Sequence, residues 1–141
     1  MMTQKRQYPL KLNRAFFARV RFERIPKMPD KLGIYIALEA KIVDAHFPEV
    51  LEVHLKAETP DEQPLMMEVE VIGIFGLIEG APEPDRSIIQ DFSVERAFPV
   101  LWAYLDQMIT QVTAQMGIAP VRLSAPAEFG YSPPAESPSS T

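Results

Sequence analysis

His46 and His54 are the only histidines in the chain, and they are the first residues to weigh for chemistry. A histidine works as a general base when a nucleophile lies beside one ring nitrogen and an orienting acid beside the other. No local motif assembles such a group. His46 falls in a turn, His54 falls on the polar side of an alternating segment, and their spacing matches no zinc signature. Glu68 and Glu70 stand two apart, so they share one face of a strand. Paired carboxylates do acid–base work when burial drives their pKa values apart; on the outside of a one-sided sheet they are solvated charge. Gly73-Ile74-Phe75-Gly76 lacks both the strand–loop–helix setting and the Lys-Ser/Thr ending of a phosphate loop. The expectation is a protein that is not an enzyme and has no catalytic residue, no metal and no cofactor.

The elements that position these residues read as strands, then a helix. Four segments alternate with the period of two that marks half-buried strands. Phe16, Ala18, Val20 and Phe22 are expected to oppose Phe17, Arg19, Arg21 and Glu23. Ile34, Ile36, Leu38, Ala40 and Ile42 oppose Tyr35, Ala37, Glu39, Lys41 and Val43. Leu51, Val53, Leu55 and Ala57 oppose Glu52, His54, Lys56 and Glu58, and Leu65, Met67, Val69 and Val71 oppose Met66, Glu68, Glu70 and Ile72. The short connections at 44–48 and 59–64 favour antiparallel neighbours. After Gly73, Gly76 and Gly80 the period changes to that of a helix, with Leu101, Tyr104, Leu105, Met108, Ile109, Val112 and Met116 on one stripe and Asp106, Gln107, Thr110, Gln111 and Gln115 outside it. Pro99 suits a first turn, Gly117 suits the position past the end, and residues 85–98 form an earlier turn that Pro99 ends or kinks. This predicts an α+β fold: a four-stranded antiparallel sheet with one long helix on its apolar face.

The chain divides into an N-terminal extension over 1–13, the α+β domain over 14–130 and a Pro/Ser-rich tail over 131–141, expected to be disordered. A length of 141 residues suits one domain. The net charge of −5 and pI of about 5.0 argue against a nucleic-acid partner. The absence of cysteine suits a reducing compartment. Neither a signal-peptide core nor a run of about 20 apolar residues is present, so a cytoplasmic protein without membrane insertion is expected. Phe17, Tyr35, Met66 and Ile72 fall on the side that should be polar, and Trp102 lies off the helical stripe. Either subunit contacts or local curvature must accommodate them.

At strand four and the segment after it the sequence becomes specific, and there it resembles the SecB export-chaperone family. Leu65 to Leu77, which includes Gly73-Ile74-Phe75, is similar to the family's strand ending in Gly-Ile-Phe, and Val50 to Ala57 resembles the strand before it. Ala97-Phe98-Pro99-Val100 fits the Phe-Pro that opens the family's long helix. Met116 to Leu123, with Ala125-Pro126 and Phe129, is similar to the segment that follows. The resemblance spans about residues 14–129 and implies a homotetramer, a dimer of dimers, that holds unfolded preproteins without ATP and keeps them export-competent.

It also implies client contacts at Ile36, Leu38, Leu65, Met67, Val69 and Val71. Of the family's acidic SecA-docking positions only Glu68 matches; Val20, Arg24 and Lys27 stand at others, which weighs against SecA docking of the usual kind. The connection from Pro26 to Gly33 is short for the family, and Gly130 and Pro133-Pro134 stand where its C-terminal helix would begin. Two other functions remain open: a dedicated chaperone of a single partner, as in toxin–antitoxin systems, and a small-molecule-binding regulatory oligomer.

Overall fold

The computed structural model describes residues 7–26, 36–47, 49–60, 63–118 and 120–123. The expectations for Ile34, Tyr35, Lys27 and the tail over 131–141 lie outside these residues. Alternation does what it should in the centre of the sheet. Strand β3 (Leu51–Glu58) buries Leu51, Val53, Leu55 and Ala57, and strand β4 (Leu65–Leu77) buries Leu65, Met67, Val69 and Val71. Strand β2 (Ala37–Val43) pairs antiparallel with β3, and strand β1 (Leu10–Arg24) with β4, in the order β1-β4-β3-β2. β1 and β2 are therefore the two edges.

Three departures from simple alternation have physical causes. β1 begins at Leu10, and Tyr8 and Leu10 are buried in the core, so the folded unit takes in part of the expected N-terminal extension. The register with β4 slips twice, between Leu12 and Arg14 and between Phe17 and Arg19. Each extra residue moves the following side chains to the opposite face. Phe17 pairs with Val71 on the helix side while Phe16 pairs with Ile72 on the outer side, and Val20 and Phe22 are on the helix side again. The expected grouping of Phe16 with Val20 and Phe22 is thereby corrected, as is the outward placing of Phe17.

β4 also runs through Gly73 and Gly76 instead of ending there. Gly73 is required by a close approach: a Cβ there would lie 2.8 Å from Phe75 Cε1 and 3.1 Å from Leu101 Cδ2. The helical region does not break at Pro99. Helix α1 (Arg86–Phe92) starts where the Asp85 carboxylate accepts the Ile88 N–H at 3.0 Å, and it continues through a π turn over Ser93–Ala97 into helix α2 (Phe98–Gln115). Proline offers no N–H and its ring crowds the preceding turn. The wider π turn, in which Phe98 N–H reaches back to the Ser93 carbonyl, makes room for it. Gly117, with φ +79°, closes the C-terminal end.

Asp106 was expected to face solvent but is buried. Its carboxylate accepts Arg122 Nη2 at 2.8 Å and Leu123 N–H at 2.9 Å, and on the same side of α2 Thr113 Oγ1 accepts Val121 N–H at 2.9 Å. Residues 121–123 are thereby tied antiparallel along α2. Burial works to raise the Asp106 carboxyl, but the hydrogen bonds from Arg122 and Leu123 and the attraction of the guanidinium outweigh it and hold it below its ordinary value.

Two predictions follow from these contacts. Gly73→Ala should cost about 1–3 kcal/mol through overpacking, read as a lower urea midpoint at unchanged slope. A lowered folded pKa makes the Asp106 contribution complete above the unfolded value of about 4 and lost as pH falls through the folded one. Asp106→Asn should therefore cost about 1–2 kcal/mol at pH 7, moderated by the exposure of Arg122. The gap between the two proteins in urea midpoint should close below about pH 4.

Candidate functional site

Helix α2 packs over β4 and β3, burying Phe98, Leu101, Leu105 and Ile109 in one cluster with Val53, Leu55, Val69 and Val71. The helix-side residues of the two edge strands are covered less. Along β1, Leu12 is 37% and Val20 45% exposed; facing them, Val100 is 40% and Tyr104 38% exposed. Phe17 lies edge-on to Tyr104 with ring centroids 6.4 Å apart, so the apolar strip continues between its two ends. Tyr104 was expected on the buried stripe; it stands at the rim because β1 is an edge strand.

At the start of β1 the strip deepens into a groove of about 540 Å³ lined by Tyr8, Leu10, Leu12, Phe75, Phe92 and Val100. Its floor is aromatic: Phe92 meets Tyr8 at 5.4 Å and Phe75 at 5.1 Å, both edge to face. The Arg96 guanidinium lies 5.6 Å from the Tyr8 ring centre and forms part of the wall. The opposite edge offers a smaller apolar surface, with Leu38 exposed and Ile36, Ala40 and Ile42 half-buried.

The six residues expected to touch a client divide sharply. Ile36 and Leu38 lie on the partly open edge at β2. Leu65, Met67, Val69 and Val71 are at most 3% exposed, sealed between the neighbouring strands and the helix layer. They support the surface from beneath and touch nothing in solvent. Tyr8, Leu10, Leu12 and Val100 were not expected at a site. Tyr8, Leu10 and Leu12 do alternate, but Pro9 and the slip after Leu12 interrupt the pattern.

The polar candidates lie on the other side of the sheet. Glu68 accepts Arg19 Nη1 at 3.1 Å. Glu70 meets His54 Nδ1 at 3.3 Å and Glu52 meets His54 Nε2 at 3.0 Å, so the pair of glutamates serves two different partners. Among the described residues no group of His, Asp or Glu is arranged to hold a metal, and no helix is long and apolar enough to cross a membrane. Of the residues matched to SecA docking, Val20 pairs with Val69 on the helix side, and Arg24 donates to the Met116 carbonyl at 3.0 Å at the end of α2. Lys27 lies outside the described residues.

A four-stranded antiparallel sheet under one long helix is a SecB-like fold. Among solved structures, the SecB-like chaperone of Mycobacterium tuberculosis, in complex with a ChAD peptide from an antitoxin, matches with a TM-score of 0.68 at 13% identity, over 84% of this chain and 88% of that one. A protein of unknown function from Streptococcus agalactiae is more distant, with a TM-score of 0.42 at 9% identity over 82% and 97% of the two chains. No protein-family profile matches the sequence, and no curated protein matches it.

Rim and floor should respond differently to substitution. Leu12→Gln with Val100→Gln should leave the melting temperature within a few degrees, because both residues are already half in water, while lowering the fluorescence of an apolar dye at least twofold. Met67→Ala should cost about 2–5 kcal/mol, measured by urea unfolding.

Proposed function

We propose that this protein is an ATP-independent chaperone that holds unfolded polypeptide along the apolar strip between β1 and α2. The observation that carries the reading is the run of half-exposed apolar side chains that starts in the aromatic-floored groove at Ile78, Leu12 and Val100 and continues through Phe17 and Tyr104 to Val20. Apolar client side chains gain about 25 cal/mol per Å² buried there, with little demand on sequence. Ile36 and Leu38 offer a second contact at the β2 edge. Leu65, Met67, Val69 and Val71 fix the shape of the support.

The SecB-like fold favours this reading over catalysis. The antitoxin peptide bound by the M. tuberculosis neighbour favours a dedicated chaperone of one partner over a general export factor. Keeping preproteins export-competent and passing them to SecA is the broader alternative, in the cytoplasm. A groove of this volume also admits a small molecule, which would make the protein a binding regulator.

Exposure on this scale also favours self-association, as a dimer or a dimer of dimers. A single 15.9 kDa species at micromolar concentration in sedimentation would defeat it. For the chaperone itself the test is aggregation of a reduced, unfolded model protein. Stoichiometric protein should suppress light scattering, and Leu12→Gln with Val100→Gln should weaken that at least roughly fivefold. No suppression by the parent protein would sink the proposal.

A further inference from the structure

The outer face of β1 carries a second surface, of opposite chemistry. β1 holds Lys11, Arg14, Arg19, Arg21 and Arg24 against the single carboxylate Glu23, in a chain whose net charge is −5. Charge on one strand is common, but its placement here is not what plain alternation gives. In an unbroken strand Lys11, Arg19 and Arg21 would share one face and Arg14 and Phe16 the other. The two register slips change this: Lys11 pairs with Gly76, Arg14 with Ile74, Phe16 with Ile72, Arg19 with Glu70 and Arg21 with Glu68, all on the outer side. Bulges that re-aim side chains are built features of a sheet, not accidents of packing.

Most of this charge is not used within the fold. Glu68 is taken by Arg19, and Glu70 and Glu52 by His54. Among the described residues Lys11, Arg14 and Arg21 have no carboxylate partner; Arg14 lies over the Phe16 ring at 4.8 Å. Phe16 is 36% exposed, with Ile72 and Ile74 half-buried beside it. Four cations are thus spaced over about 25 Å of strand, with an apolar island between them.

We infer that this face docks an extended acidic segment of a partner polypeptide, one that alternates carboxylates with apolar side chains. Carboxylates would meet Lys11, Arg14 and Arg21, where arginine offers paired donors, and an apolar side chain would rest on Phe16, Ile72 and Ile74. A nucleic acid fits less well. The chain as a whole repels a long polyanion, and one ring at a sheet edge is no stacking platform. The inference does not depend on the chaperone reading, since Arg14, Phe16 and Arg21 lie on the side of the sheet opposite the strip; only Lys11, at the start of the strand, also borders the groove.

Fluorescence anisotropy on the full chain tests it, with three labelled probes: a twelve-residue Glu/Leu alternating peptide, its Lys/Leu counterpart and a single-stranded oligonucleotide of equal charge to the first. The acidic peptide should bind at least tenfold tighter than the basic one and weaken several-fold as salt rises from about 50 to 300 mM. Arg14→Glu with Arg21→Glu should lose at least tenfold for the acidic peptide while retaining suppression of client aggregation. Arg14→Gln with Arg21→Gln, expected to lose less, serves if the reversal fails to fold. Equal affinity for the two peptides, no loss in either double variant, or tighter binding of the oligonucleotide would overturn it.

Discussion

The width of a helix against the width of a sheet governs this molecule. A helix with its side chains is about 10–12 Å across, and strands lie about 4.8 Å apart, so one helix covers two strands and only shades their neighbours. α2 sits over β4 and β3, whose inward residues reach almost no solvent, and the edge strands keep Val20 and Leu38 close to half exposed. The apolar surface at the edges is therefore not a flaw in the packing of an otherwise closed core. It follows from placing four strands under one helix with apolar residues on every strand.

The same constraint explains which expectations from sequence held. Where both neighbours are strands and the helix lies above, alternation is enforced by burial, and the faces of β3 and β4 match their pattern residue by residue. At the edge nothing enforces it, and β1 slips register twice. A single inserted residue leaves no compositional mark, which is why Phe16 and Phe17 could not be assigned to faces from the sequence. Burial grades the expected client contacts in the same way: Leu65, Met67, Val69 and Val71 are regularly spaced and best covered, whereas Ile36 and Leu38 lie where coverage thins.

Glycine and proline misled for the opposite reason, because their meaning depends on what approaches them. Gly73 reads as the end of a strand, yet it sits mid-strand because Leu101 and Phe75 occupy the space a side chain would need. Pro99 does stand in the first turn of α2, as its type suggests, yet the π turn before it lets α1 run into α2 where an end was expected. Asp106 reads as solvent-facing because its partner lies sixteen residues further along, in Arg122. In each case the deciding contact is long-range or belongs to a neighbouring turn, beyond the reach of local periodicity.

β1 is consequently the element in which both surfaces meet. Its helix side presents Leu12, Phe17 and Val20 to the apolar strip, and its outer side presents Lys11, Arg14, Arg19 and Arg21. Without the slips, Arg14 would turn toward the helix layer and Phe17 away from it. A guanidinium would then stand in the apolar strip, where desolvation opposes it, and the ring that now meets Tyr104 would be lost from it. The bulges thus do two things with the same pair of extra residues: they keep Arg14 out of the strip and gather Arg14, Arg19 and Arg21 on the far face. That coupling means an insertion or deletion in β1 would damage both surfaces together, whereas point substitutions on either side can separate them.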